Sequence, residues 1–553
     1  MKMEQIKKEV LEIGIKDFFK YIRNFYLEKN GFDKEILPKT KEKDLSRITS
    51  RVAAFLGINK ENLWESNAFH MFFRVTDLES LKSLNEDIDL KNVELSLKSG
   101  RELTILPLNI ILGMPTIKKF IPNLPKLYSG EKVHSLDPYG LFRGQDQIRA
   151  LVKLNKDEEE NLSSNEIVKI KNKKYKNIYL GSRKFDYAVL FNVTEFCPVG
   201  CAECYKGVIT RLSMAALAEI EPRFAKIKKQ LNLEEHRAIE QAKLLSRWLE
   251  DHREVNTVII SGGEPLMYSP ETIGTILDEF GKIESLKVIR ICTSAVFQGI
   301  FYKISDELIE KLKKFKEEHN GLHGKPNKQL YFNCHVTDEF QLSTPEALIS
   351  SMKLKNIGIS LHLQMPLQEG INFFRNEVVK SAEKLKRICE AAYRIGAIPY
   401  KAIVNMHSPS YKEITVPIEK VSEVITFLDE HFDNADMERW QAYNILHEQG
   451  NAYIYPKPNF VAVKNVNKEK GRVTYFIPKL INGKIVVHTY EEPLIENVND
   501  QNSLSRIIDK KILEKIFEVQ HAYNQLRMGK INAVHFYKIS GIKFSKNEPL
   551  VLG

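Results

Sequence analysis

Cysteine is scarce in this chain, with six in 553 residues. That is too few for a disulfide scaffold and points to a reducing compartment. No stretch approaches the roughly 18 consecutive apolar residues of a membrane span, so none is expected. The first residues, MKMEQIKKEV, hold no apolar h-region, so no secretory signal is expected and the location implied is cytoplasmic. Neither sign of charge dominates: 82 Lys and Arg face 72 Asp and Glu, a net charge of +10. The surplus is lysine scattered among Ile and Asn, as in KIKNKKYKN (169–177), so a nucleic-acid partner is not expected. No internal repeat is evident. With 43% apolar and 28% charged residues, the chain has ordinary globular composition and length for two to four domains.

What cysteine there is, is concentrated. Cys197, Cys201 and Cys204 lie in FNVTEFCPVGCAECYKG with spacing C-x3-C-x2-C. Half of a zinc site, a redox pair and coincidence are the bland readings. A structural zinc site would want a second paired ligand set. Cys292, Cys334 and Cys389 are single and widely separated, so no second C-x2-C exists. Three neighbouring thiolates can instead hold three irons of a cubane. The fourth iron is then open to react, as in catalytic rather than structural metal sites. Downstream, the apolar run of VIISGGEPL ends in Gly262-Gly263-Glu264. Glycines let backbone approach a ligand, and a carboxylate accepts strongly from an ammonium.

Strand and helix patterns alternate from Phe185 onward. FDYAVLFNVT reads as a strand leading into the cysteines. RLSMAALAEI through RWLEDH reads as long helix, broken once around Leu231-Asn232. NTVIISGG, LKVIRICTS, QLYFNCHV, SLHLQMPL and IPYKAIVNM follow as strands with helices between them. Alternation of this kind implies parallel strands joined by right-handed crossovers. The fold class expected is α/β: a partial (β/α)6 barrel, with an N-terminal helix-rich domain and a C-terminal α+β extension. The expected boundaries are 1–120 for the helix-rich domain and 121–184 for a loop-rich connection. They are 185–430 for the barrel and 431–553 for the extension. IKKEVLEIGIKDFFKYIRNFYLEK has helical spacing, whereas ELSLKSGRELTILPLNIILG reads as strand-like or buried apolar pieces with a turn at Ser99-Gly100. RVTYFIP and KIVVHTY read as strands near the C-terminus.

C-x3-C-x2-C followed by Gly-Gly-Glu resembles the radical S-adenosylmethionine superfamily. The resemblance implies a [4Fe-4S] cluster on Cys197, Cys201 and Cys204, with S-adenosylmethionine chelated at the open iron. Gly262, Gly263 and Glu264 would receive its amino group. Reductive cleavage would yield a 5′-deoxyadenosyl radical that abstracts hydrogen from a small amine, amino-acid or amino-sugar-like substrate. An electron donor such as flavodoxin or ferredoxin is implied, and homo-oligomer formation stays open. Glu203 stands where the superfamily usually has an aromatic residue. The stretches SGGEPLMYSPETIGTILDEFGKIESLKVIRICTS, YFNCHVTDEFQLSTPEA and NIGISLHLQMPLQEGIN are similar to the lysine 2,3-aminomutase branch. By that resemblance His335 and Gln364 line the cofactor cavity, and Gln364 and Asn372 match family positions; Asn333, two residues before His335, takes the same face of a strand and is a cofactor-binding candidate on that ground. A satisfied polar residue at a strand end is an equally good reading of His335. His407 is a candidate substrate contact or acid/base, with an ordinary pKa near 6.5.

The departures concern pyridoxal phosphate, which that branch carries on a lysine in a glycine-rich string. Here the corresponding stretch is EQGNAYIYPKPNF, and Tyr453 occupies the lysine position. A tyrosine cannot form an imine. Lys457 is displaced by four residues, Ser294 stands in place of an arginine, and Met406-His407 stand where an acidic residue would be. Pyridoxal phosphate is therefore not expected. Two alternatives remain: an aminomutase using pyridoxal phosphate at the displaced Lys457, and a non-catalytic protein that binds cluster or S-adenosylmethionine.

Overall fold

A computed structural model describes residues 3–75, 105–112, 147–150, 178–185, 187–194, 196–199, 225–404, 416–432, 440–447, 450–454, 464–467, 469, 472–481 and 484–493, with scattered positions between 515 and 539. Its centre is a ten-stranded mixed sheet in the order β1 (Gln147–Ala150), β2 (Ile178–Phe185), β3 (Ala188–Thr194), β4 (Thr257–Gly262), β5 (Val288–Thr293), β6 (Gln329–His335), β7 (Ser360–Pro366), β8 (Ile398–Val404), β9 (Ala442–His447) and β10 (Gly450–Tyr453). Strands β3 to β9 are parallel; β1, β2 and β10 add antiparallel edges.

Six helices make the crossovers between the parallel strands: Ala225–Asp251, Pro270–Gly281, Asp306–Glu318, Pro345–Asn356, Val378–Arg394 and Ile418–His431. The alternation therefore yields seven parallel strands, one more than the six expected. The addition is β9, whose AYNILH mixes polar and apolar residues and carries little strand signal. The long helix also differs: Ala225–Asp251 runs unbroken through Leu231-Asn232. Of the stretch expected to be strand-like or buried apolar pieces, Ile105 makes a single bridge to Val75, and Pro107–Leu112 is helical with Leu108 and Ile110 buried. Proline at N1 suits a helix start, and the apolar residues after it bury as well on a helix as on a strand. Ser99 and Gly100 lie outside the described residues. RVTYFIP and KIVVHTY do pair, as β12 (Arg472–Ile481) and β13 (Lys484–Pro493), beside β11 (Lys464–Asn467).

Helix starts follow local chemistry. Ser269, Ser305 and Thr344 each cap a helix by accepting from the N–H three residues on, and proline follows Ser269 and Thr344. Alternation along β5 and β6 sends Ile289, Ile291, Leu330, Phe332 and Cys334 into the core beneath the helices. Arg290, Cys292, Tyr331, Asn333 and His335 take the other face. Burial in apolar surroundings pushes the Cys334 thiol well above its ordinary pKa.

A second buried cluster belongs to the N-terminal helices. Gly14, at φ 101°, separates Met3–Ile13 from Ile15–Lys29, so one periodic stretch becomes two helices. Phe18, Phe69 and Phe73 pack with ring centroids 5.0 to 6.3 Å apart. This unit meets the sheet's helices through a buried polar node. Arg23 donates from Nε and Nη2 to the two carboxylate oxygens of Glu346, both at 2.7 Å. Trp64 Nε1 donates to Glu346 Oε1 at 2.8 Å.

His70 is wholly buried beside this node, stacked on Tyr302 with centroids 4.6 Å apart. Its Nε2 lies 2.6 Å from the Trp64 carbonyl, which can only accept, so Nε2 carries the proton. Burial lowers its pKa to about 4, against the opposing pull of that bond. The unfolded chain gains this proton near pH 6.5, whereas the folded one resists until about 4. Stability present above pH 6.5 is thus lost as pH falls toward 4, by about 3 kcal/mol. Urea titrations across that window should show the decline in the wild type and a shallower one in His70→Phe. Equal slopes in the two proteins would refute it.

Candidate functional site

In parallel α/β sheets, ligands bind beyond the carboxyl ends of the strands. Here those ends bring the two sequence signatures together. Gly263 N donates to Thr194 O at 2.6 Å, and Glu264 N donates to Phe196 O at 2.7 Å. Thr194 closes β3 and Phe196 immediately precedes Cys197. The Gly-Gly-Glu backbone is therefore bonded directly to the start of the cysteine loop. Gly262, at φ 133°, makes this approach possible; a Cβ there would stand 2.3 Å from Thr194 O. Cys197 is half-buried. Cys201 and Cys204 lie outside the described residues, as do His407 and Lys457. Tyr453 ends β10.

Glu264 is 1% exposed. Its Oε1 accepts from Thr293 Oγ1 at 2.6 Å and from Leu266 N at 3.2 Å; its Oε2 accepts from Ser294 N at 2.7 Å. Burial raises its pKa, and these three bonds oppose the rise. Lys303 acts on it only through space, and no cation is bonded to it among the described residues. A carboxylate has about four acceptor positions, so Oε2 retains capacity for one more donor. Such a group is fixed in orientation and short of a positive partner.

Asn333 and His335 share the face of β6 turned away from the helices. Asn333 is 5% exposed. Its Nδ2 lies 3.8 Å from Cys292 Sγ, while its Oδ1 is buried with no partner among the described residues. His335 Nδ1 is 3.1 Å from Gln298 Nε2, which makes Nδ1 the acceptor. Gln364 pairs with His335 across β6 and β7. The structure thus brings Glu264, Asn333, His335 and Gln364 to one end of the sheet. Asn372 is elsewhere: wholly buried, it donates to Thr337 O and Pro366 O and accepts from Gln368 N, stapling the loops after β6 and β7.

Sequence reasoning missed Thr293 and Gln298, and treated Ser294 only as a departure. Thr and Ser in the ICTS that ends β5 were a usable signal, because a strand-end hydroxyl and N–H beside a buried carboxylate are natural donors. Gln298 left no signal; it reaches His335 only by folding.

No protein-family model matches the chain. Two proteins of Aquifex aeolicus (strain VF5), provisionally named L-lysine 2,3-aminomutase, are 25% and 23% identical over 256 and 288 residues; the matches cover 46% and 52% of this chain. They span 58% and 66% of those proteins, under two thirds of their length. The L-lysine 2,3-aminomutase of Bacillus subtilis (strain 168) is 25% identical over 223 residues, 40% of this chain and 42% of that protein. The glutamate 2,3-aminomutase of Clostridioides difficile (strain 630) is 21% identical over 247 residues, 45% of this chain and 49% of that protein. The chain is thus similar, at low identity, to the lysine 2,3-aminomutase group.

Proposed function

We propose that this chain is a radical S-adenosylmethionine enzyme acting on a small amine, amino-acid or amino-sugar-like substrate without pyridoxal phosphate. The observation that carries the reading is Glu264: a buried carboxylate with spare acceptor capacity and no bonded cation among the described residues, on a backbone tied to the cysteine loop. The donor set fits the cofactors. Cys197, Cys201 and Cys204 would hold a [4Fe-4S] cluster, and Glu264 would accept from the ammonium of S-adenosylmethionine. The Oδ1 of Asn333, without a partner among the described residues, would meet a donor on the ligand, with His335 and Gln364 lining the same cavity. When bound, cluster and S-adenosylmethionine supply a carbon-centred oxidant able to take hydrogen from an unactivated carbon.

The chain's own work is positioning. Thr293, Ser294 and Leu266 hold the Glu264 carboxylate in one orientation, so an arriving ammonium loses little free energy to reorganisation. That ammonium favours the ionised form and lowers the raised pKa. Gln298 fixes the His335 ring with Nε2–H directed elsewhere than Gln298. On this reading the sheet is a partial barrel open to substrate, within a domain near 185–430 flanked by 1–120, 121–184 and 431–553. The electron donor is a flavodoxin- or ferredoxin-like protein of the cytoplasm. Among the described residues no helix is long and apolar enough to cross a membrane.

The test is anaerobic preparation. Protein reconstituted with iron and sulfide should be brown and, once reduced, should convert S-adenosylmethionine to methionine and 5′-deoxyadenosine. Pyridoxal phosphate and borohydride should leave no lysine adduct. Colourless, zinc-loaded protein would end the proposal; an adduct mapped to Lys457 would restore an aminomutase.

A further inference from the structure

The face of the sheet turned from the helices is built in layers. Register pairs Arg290 with Tyr331 and Tyr331 with Ser360 in one layer, and Cys292 with Asn333 and Asn333 with His362 in the next. His335, Gln364 and Lys401 form the layer at the carboxyl end. Each step of two residues raises the layer by about 6.6 Å.

Lys401 reaches this face through an irregularity. Leu363 pairs with Pro399, yet the next residue, Gln364, pairs with Lys401, so β8 carries one extra residue, Tyr400. Pro399 and Ala402 remain buried on the helix side, opposite Leu363 and Met365. Without the extra residue, Lys401 would point among the helices. A bulge of this kind re-aims one side chain, and bulges are common beside functional sites. Here it delivers an ammonium to the layer of His335 and Gln364. Lys401 Nζ sits 4.8 Å from the Tyr400 ring centroid, where the π face attracts it. No carboxylate is bonded to it among the described residues.

The surroundings are equally one-sided. Among the described residues, the non-helix positions of β3 to β8 include Arg290, Lys401, His335 and His362, and none is Asp or Glu. A lone half-buried ammonium among amide and imidazole donors is complementary to an oxyanion, not to a cation.

We propose that Lys401 anchors an oxyanion of the substrate, a carboxylate or a phosphate, against the His335–Gln364 layer. The inference rests on the small-molecule site proposed above and narrows its substrate to one that carries negative charge. The anchor lies at the same carboxyl end of the sheet that Glu264 follows, so a substrate with an oxyanion at one end would present its carbon chain toward the cofactor side.

The test uses the full-length chain and needs neither cluster nor S-adenosylmethionine. Lysines are reductively methylated at constant ionic strength in the presence of glutarate, inorganic phosphate or 1,5-diaminopentane, and labelling is mapped by mass spectrometry. Lys314, an exposed helix lysine, serves as the internal reference. Glutarate or phosphate should lower Lys401 labelling at least about threefold relative to Lys314, and the effective anion identifies the oxyanion class. The same anion should raise the melting temperature of wild type and Lys401→Arg, while Lys401→Gln binds it about tenfold more weakly, as expected on losing a charge-assisted hydrogen bond. Protection by the diamine, equal protection of Lys314, or no protection by either oxyanion overturns the proposal. Oxyanion protection in protein that never cleaves S-adenosylmethionine would count against the reaction alone.

Discussion

Gly262→Ala should lower stability by about 3–5 kcal/mol and cut 5′-deoxyadenosine formation at least about a hundredfold. Two penalties coincide. The residue sits at φ 133°, a region L side chains rarely adopt, and its new Cβ would lie 2.3 Å from Thr194 O and 2.9 Å from Thr194 N. Both atoms are backbone within the sheet, so neither can step aside as a flexible side chain would. Relief requires β3 and β4 to part at their carboxyl ends. That breaks the Gly263–Thr194 and Glu264–Phe196 bonds and moves Cys197 relative to Glu264. Gly57→Ala is the contrast: φ is 66° but no atom lies within 4 Å of a Cβ, so only the dihedral penalty of about 1 kcal/mol applies. Denaturant titration and product analysis of both variants decide the matter. A Gly262→Ala protein as stable and active as Gly57→Ala would show that the close approach is not needed.

Glu346→Ala should cost about 3–5 kcal/mol, because it takes from a buried guanidinium its buried carboxylate and leaves it only the more exposed Glu35. Burial alone would lower the Arg23 pKa. The Glu346 bonds and charge, aided by Glu35, more than reverse that. Removing the carboxylate leaves Arg23 with Glu35 and strips Trp64 Nε1 of its acceptor. Hydrogen exchange should rise in Ile15–Lys29 and Asn67–Phe72, the helices this node holds. The double variant Arg23→Met with Glu346→Leu should recover most of the loss, since apolar replacement of a buried ion pair is often neutral or better. A single-variant cost below about 1 kcal/mol, or a double variant no better than the single, would show that the node does not hold the two units together.

Tyr302 links the two regions. It stacks on His70 of the N-terminal unit, and after burial the charge of Glu264 is the next cause raising its pKa. The N-terminal helices thus stand close behind the wall that carries the candidate carboxylate.

Much of this was already written in one dimension. Local patterns sufficed for the strands from FDYAVLFNVT to IPYKAIVNM, because alternation and short apolar runs between caps are properties of neighbours in sequence. The caps Ser269-Pro270 and Thr344-Pro345, found in the structure, are local in the same way. The chemistry of the site was legible in Cys197, Cys201, Cys204 and Gly262-Gly263-Glu264, because thiolate spacing and glycine-carboxylate order are themselves local.

Tertiary structure alone decided the rest. The seventh parallel strand, β9, has a weak pattern of its own and is made a strand by the edge of β8. Glu346 is by sequence one first-turn acid, and what sets it apart is an arginine 323 residues away. Nothing local in IPYKAIVNM sets Lys401 apart from the chain's other lysines. Only the register of β7 and β8, with its single extra residue, determined which face it took. Pairing register, burial and long-range charge depend on which distant segments meet, and no window of sequence contains that.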